Sequence, residues 1–168
     1  FFFFKQKTAY EIVSRDWSSD VCSSDLTTLH FNRLRMPAIL IVDDDTTLLD
    51  LLSTHLSNGG LTVRVAADAA IAIRSVLADA PDLILLDIGL PYLDGMEVLA
   101  ALKADPASRD IPVLVLTGPQ DEPEYVRAMT LGADGSLHKP VERERLINEI
   151  FSRLAKRAAK KLAALPPE

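Results

Sequence analysis

The chain has 168 residues and a mass of 18.4 kDa, with 48% apolar residues, 25% charged residues and a formal charge of −6. That is enough for one domain with its own core, and the acidity argues against a nucleic-acid backbone as partner. A single cysteine excludes a disulfide framework or a multi-cysteine zinc site, and no apolar run approaches the roughly 20 residues of a membrane span.

Residues 1–26 carry no period long enough to make a buried face. The FFFF start is too short for a signal-peptide core, and polar residues follow it at once. Trp17 and Cys22, each the sole residue of its type, lie here. Back-translated, KQKTAYEI and DWSSDVCSSDL resemble the two constant arms of a short-read sequencing adapter, with Ile12 to Arg15 over the variable stretch between them. Residues 1–26 are therefore expected to be an adapter artefact, and 27–35 upstream sequence read through. The alternative is a disordered native extension. From Met36 onward, 13 Lys and Arg face 20 Asp and Glu, a charge of −7, and there is no cysteine. Such a domain without a leader is expected in the cytoplasm.

From Ala38, short apolar runs alternate with helical patterns. AILIV (38–42) is unbroken and ends in three aspartates. Asp45 can cap a first helix carrying Leu48, Leu49, Leu52 and Leu56, stopped by Asn58-Gly59-Gly60. LTVRVA (61–66) is β-branched and alternating. Asp68 can cap a second helix, with Ile73 and Leu77 as its apolar face. LILL (83–86) is unbroken and ends at Asp87. Asp94-Gly95 opens a third helix through Met96, Leu99 and Leu102. VLVL (113–116) ends at Thr117. Pro123 suits the first turn of a fourth helix, with Gly132 as its stop. A weaker run, 135–138, ends at Lys139-Pro140. A fifth helix from Val141 spaces Ile147, Ile150, Phe151 and Leu154 on one face. Unbroken strands are what a parallel sheet covered on both faces requires. The expectation is a single α/β domain, a doubly wound (βα)5 fold with a five-stranded parallel sheet. Residues 36–157 form the domain, and 158–168 a helix extension and tail.

In such a sheet the functional crevice lies beyond the carboxyl ends of the strands. The residues there are Asp43, Asp44 and Asp45, then Asp87, Thr117 and Lys139. Carboxylates held close repel one another unless a cation lies between them, and a hard cation such as Mg²⁺ suits oxygen donors. One carboxylate is then free to act as nucleophile toward a phosphoryl group. The metal, a hydroxyl and an ammonium would hold the equatorial oxygens as charge spreads.

ILIVDDD, LILLDIGLPYLDGMEVL, PVLVLTG and the final HKP together resemble a response-regulator receiver domain, over about Ala38 to Lys156. The resemblance implies a flavodoxin-like receiver topology with Asp87 as phosphoacceptor. Asp43, Asp44, Asp87 and the backbone carbonyl of Gly89 would hold Mg²⁺, with Mn²⁺ an alternative. Thr117 would be the switch hydroxyl, Lys139 the phosphate contact, and Lys139-Pro140 a cis bond. A sensor histidine kinase or histidine phosphotransfer protein would be the donor. An unknown downstream protein would read the switched face, with no nucleic-acid or membrane partner. The reading is a stand-alone receiver, a monomer or a weak dimer through the fourth and fifth helices. It is not a turnover enzyme and catalyses only its own phosphorylation and dephosphorylation.

Two departures stand out. Ser136 occupies the position three before the lysine, where receivers usually carry Tyr or Phe, so an aromatic swing is in doubt. Signalling would then run through backbone shifts after Thr117 and Gly135. Gly89 and Pro119 offer no polar side chain to position a hydrolytic water, which implies a long-lived acyl phosphate. Asp45, Asp68, Asp94 and Asp121 read as caps or turn residues, His55 as a surface residue and His138 as packed or partly exposed. The basic run 153–165 reads as a solvated helix end, with Ala158, Leu162 and Leu165 extending its apolar face. Three rivals remain. A phosphorylation-independent pseudo-receiver would bind partners only. A haloacid-dehalogenase-like phosphatase would use Asp43 as nucleophile, but no further acidic pair follows Lys139 after a strand. A flavin-binding domain would want a loop rich in Ser, Thr or Gly where DDDTT stands.

Overall fold

The computed structural model describes residues 36–90, 94–118 and 122–163. The leader 1–35, Pro119, Asp121, Leu165 and the tail 164–168 lie outside the described residues. Five strands and five helices alternate: β1 (Ala38–Val42), α1 (Thr46–Asn58), β2 (Thr62–Ala66), α2 (Ala69–Ala78) and β3 (Leu83–Asp87) come first. Then follow α3 (Gly95–Ala104), β4 (Val113–Thr117), α4 (Glu122–Thr130), β5 (Gly135–His138) and α5 (Arg143–Ala163). The strands form one sheet in the order β2-β1-β3-β4-β5, and every pairing is parallel. This is the expected (βα)5 sheet.

All residues of β1, β3 and β4 are buried, because helices cover both faces of the sheet. Leu40, Val42, Ile84, Leu86, Val113 and Val115 face one core with α2, α3 and Ala128 of α4. The alternate residues Ile39, Ile41, Leu83, Leu85, Leu114 and Leu116 face the other, with α1 and α5. That period of two is the strand pleat read out as two cores. β2 is an edge strand and shorter than expected. Leu61 is buried just before it, and Val65 is half exposed.

The caps match the sequence. Asp45 accepts from the amides of Thr47 and Leu48, Asp68 from Ile71 and Asp94 from Met96. Each fills amides that have no partner inside the first turn. Gly132, at φ +100°, stops α4 in a conformation that suits glycine.

Four readings need correction. The inward face of α2 is Ala69, Ala72 and Val76, while Leu77 is 65% exposed. The helix is apolar almost all round, so period alone does not select a face, and small alanines fit closest to the sheet. α5 begins at Arg143 rather than Val141, and its deepest residues are Leu146 and Ile150, with Ile147, Phe151 and Leu154 partly buried beside them. His55 is only half exposed, and its Nδ1 is buried. The basic run is not simply solvated. Arg157 donates to the carbonyls of Pro81 and Asp82 at 3.1 and 2.6 Å, and Lys160 pairs with Asp110 at 2.8 Å. Ala158 and Leu162 are exposed. No helix among the described residues is long and apolar enough to cross a membrane.

Candidate functional site

The strand ends deliver the charged residues to one edge. Val42 pairs with Leu86, Asp87 with Leu116 and Thr117 with His138, so the first residues past β1 and the last of β3, β4 and β5 are neighbours. Asp43 and Thr117 are fully buried, and Asp87 is 6% exposed. Asp44 is exposed beside them.

Buried carboxylates need partners, and these have them. Asp43 Oδ1 accepts from the Asp45 amide at 2.9 Å, and its Oδ2 accepts from Lys139 Nζ at 2.8 Å. The same ammonium lies 3.1 Å from Asp87 Oδ1, so one cation bridges two carboxylates from different strands. Lys139 is held in turn by its own amide, which donates to the Thr117 carbonyl at 2.8 Å. The Lys139-Pro140 bond is cis, as expected. Asp45 acts as the α1 cap and lies outside the carboxylate cluster.

Burial pushes the Asp87 carboxyl above its ordinary range, and the Asp43 charge adds to this. The charge and hydrogen bond of Lys139, with a hydrogen bond from Gly89, pull the other way without cancelling it. For Lys139, burial lowers the pKa, but the hydrogen bond it donates to Asp43 and the charges of Asp87 and Asp43 together outweigh it and leave the ammonium raised.

One carboxylate oxygen from each of Asp43, Asp44 and Asp87 lies within 4.8 Å of the others. Three hard oxygen donors at that spacing, with excess negative charge, fit a hard divalent cation and offer nothing to a soft one. Gly95 makes this end of β3 possible. A Cβ on it would run into the Asp87 carbonyl oxygen and stand 2.7 Å from Ile88 Cα. Only glycine lets α3 start against the backbone that carries Asp87.

Sequence reading missed one contact. Thr117 Oγ1 lies 2.9 Å from His138 Nδ1. The signal was available in principle, because consecutive strands of a parallel sheet that pair across their last residues set those two side by side. Ser136 pairs with Val115, deeper in the sheet.

A profile of the response regulator receiver domain matches residues 39–151. The chain belongs to this family. Among curated relatives, the receiver resembles the transcriptional regulatory protein PrrA of Mycobacterium tuberculosis, at 37% identity over 73% of this chain and 52% of that protein. It also resembles the DNA-binding dual master transcriptional regulator RpaA of Synechocystis, at 37% identity over 68% of this chain and 48% of that one. The chain thus spans about half the length of the curated relatives it matches. Among solved structures, a CheY-like receiver domain protein of Methanospirillum hungatei superposes with a TM-score of 0.71 at 29% identity, covering 75% of this chain and 99% of that one. The receiver domain of NtrX from Brucella abortus gives 0.66 at 34% identity, covering 70% and 98%.

Proposed function

We propose that this receiver is a phosphorylation switch with Asp87 as phosphoacceptor. The observation that carries the reading is the Lys139 ammonium bridging buried Asp43 and Asp87 at 2.8 and 3.1 Å. An Asp87 carboxylate oxygen attacks phosphorus of the donor. A P–O bond forms, the bond from phosphorus to the donor atom breaks, and the donor leaves with the bonding pair. For a phosphohistidine donor, on a sensor histidine kinase or phosphotransfer protein, the leaving imidazole takes up a proton. Lys139 and the Thr117 hydroxyl receive charge on the equatorial oxygens. Asp43, Asp44, Asp87 and the Gly89 carbonyl would hold Mg²⁺, or Mn²⁺ in its place, which neutralises the crowded carboxylates and phosphoryl oxygens.

The modification adds roughly −1.5 to −2 charge at one point, and the two-state element it biases is a protein-binding face. In this reading residues 36–157 are the receiver and 158–168 a helix extension and tail. The domain turns over no metabolite. A protein partner in the cytoplasm suits the −7 charge of residues 36–168. The expectation of no nucleic-acid partner belongs to this domain alone, since the relatives PrrA and RpaA are described as transcriptional regulators.

The test is to incubate the chain with acetyl phosphate and look for phosphate that is acid-stable but labile to base and hydroxylamine. Labelling is expected to need both Mg²⁺ and Asp87, and to vanish in Asp87→Asn. Unchanged labelling in that variant would refute the assignment. With Gly89 and Pro119 at the two positions that would aim water, the aspartyl phosphate is expected to survive desalting. Loss within seconds would overturn that part.

A further inference from the structure

We propose that His138 is the positioning residue of the switch: its imidazole holds the Thr117 hydroxyl while Asp87 is unphosphorylated and is released when that hydroxyl turns to the phosphoryl group. The proposal rests on the reading of Asp87 as phosphoacceptor and adds to it a route out of the site.

Thr117 is fully buried at the end of β4. A hydroxyl in that position must be hydrogen-bonded, and His138 Nδ1 stands 2.9 Å from its Oγ1. The parallel register makes the two residues direct neighbours across β4 and β5. They share a junction with the phosphate contact, because the amide of the next residue, Lys139, donates to the Thr117 carbonyl at 2.8 Å. His138 itself is exposed, so a movement of its ring is visible from outside the domain. Ser136, on the same side of β5 two residues earlier, is half buried opposite Val115 and has no ring to move.

A threonine hydroxyl has one proton to donate. Donated to a phosphoryl oxygen, it is no longer available to an imidazole nitrogen. In the proposed arrangement the imidazole carries its proton on Nε2, so Nδ1 accepts from the Thr117 hydroxyl; the phosphoryl group and Nδ1 then compete for that one proton, and whichever loses must find water or another partner. His138 satisfies the buried hydroxyl in the unphosphorylated state and so favours that state. Removing the imidazole is expected to shift the balance toward the phosphorylated arrangement by roughly fivefold, the equilibrium worth of one neutral hydrogen bond.

The experiment uses the full chain with Mg²⁺ and acetyl phosphate, at one fixed pH. The ¹⁵N resonances of the His138 imidazole are recorded before and after phosphorylation, and hydroxylamine-labile phosphate is measured on the same samples. The Nδ1 resonance is expected to move from a hydrogen-bonded to an unbonded position on phosphorylation, and to stay put in Asp87→Asn. His138→Ala is expected to reach half-maximal phosphorylation at roughly one-fifth the acetyl phosphate. His138→Asn, whose amide oxygen reaches about where Nδ1 stood, is expected to stay near wild type. A merely structural role would not separate the alanine from the asparagine variant, nor move the imidazole signal. Labelled wild type with an unmoved imidazole, or alanine and asparagine variants that behave alike, would overturn this proposal alone. No labile phosphate on wild type would overturn it together with the reading of Asp87.

Discussion

Asp87 is pulled two ways, by burial that disfavours its charge and by an ammonium that favours it, and burial prevails. The sign of the consequence is fixed. A carboxyl raised above its unfolded value of 3.8 stabilises the fold fully below that pH, and the contribution is lost as pH rises through the folded value. In metal-free buffer near neutrality, the ionised Asp87 therefore costs stability. Asp87→Asn is expected to melt higher than wild type in a chelator at neutral pH, with the gain fading as the pH falls toward 3.8. The lysine survives that change, because Asp43 still accepts from it at 2.8 Å. Lys139 follows the same sign at the alkaline end. Its raised pKa is worth stability below 10.5 that disappears as pH rises through the folded value. Thermal melts from acid to neutral pH check the first point, and a variant that melts lower than wild type at neutral pH would contradict it.

The helices hold that residue in place through their ends. Gly95→Ala drives a methyl into the backbone at Asp87 and Ile88, where neither side can yield by a rotamer change. We expect a loss of about 1–3 kcal/mol in urea unfolding, typical of overpacking, together with slower labelling. At the far end of α5, Arg157 is 15% exposed and donates to two carbonyls, at Pro81 and Asp82. Asp82 also accepts from the Ala38 amide at 2.9 Å, so the contact ties α5 to the starts of β1 and β3. Arg157→Met keeps the apolar stem and loses the donors, and is expected to cost about 1–2 kcal/mol by the same measurement. These elements also show what was legible in the sequence. Strands read clearly because AILIV and VLVL can only be buried on both sides, and their ends then name Asp43, Asp87, Thr117 and Lys139. The face of α2 did not, because AAIAIRSVLA has apolar residues at every phase. The tethering of Arg157 did not either, since a basic helix end looks the same whether it meets water or backbone carbonyls. The Thr117–His138 bond was readable only by aligning the ends of β4 and β5, because neither strand's own pattern states the register between them.

At the scale of the domain, the unneutralised negative charge concentrates where Asp43, Asp44 and Asp87 meet, while Asp82, Asp110 and Asp134 have basic partners. Asp43, Asp44 and Asp87 gather beyond the carboxyl ends of the strands, whereas the cleft beside the residues that lead into β4 and β5 mixes Lys103, Arg109, Lys156 and Lys160 with Asp110 and Asp134. A cation taken up at the acidic end therefore relieves repulsion within the site, and its binding energy adds directly to folding stability, because the unfolded chain does not hold the three carboxylates together. At a hundred times its dissociation constant, Mg²⁺ is expected to add about 2.7 kcal/mol, or a rise of roughly 10 °C in Tm for a domain of this size. Asp44 separates metal binding from folding. It is exposed, so Asp44→Asn is expected to shift the metal-free melt by no more than about 0.5 kcal/mol. It removes one of the three clustered oxygens, and most of the Mg²⁺-dependent rise should go with it. Differential scanning calorimetry with and without Mg²⁺, on wild type and Asp44→Asn, reads both quantities in one experiment. A wild-type melt indifferent to Mg²⁺ would remove the metal from this site, and a variant that keeps the full rise would put the ion on other residues.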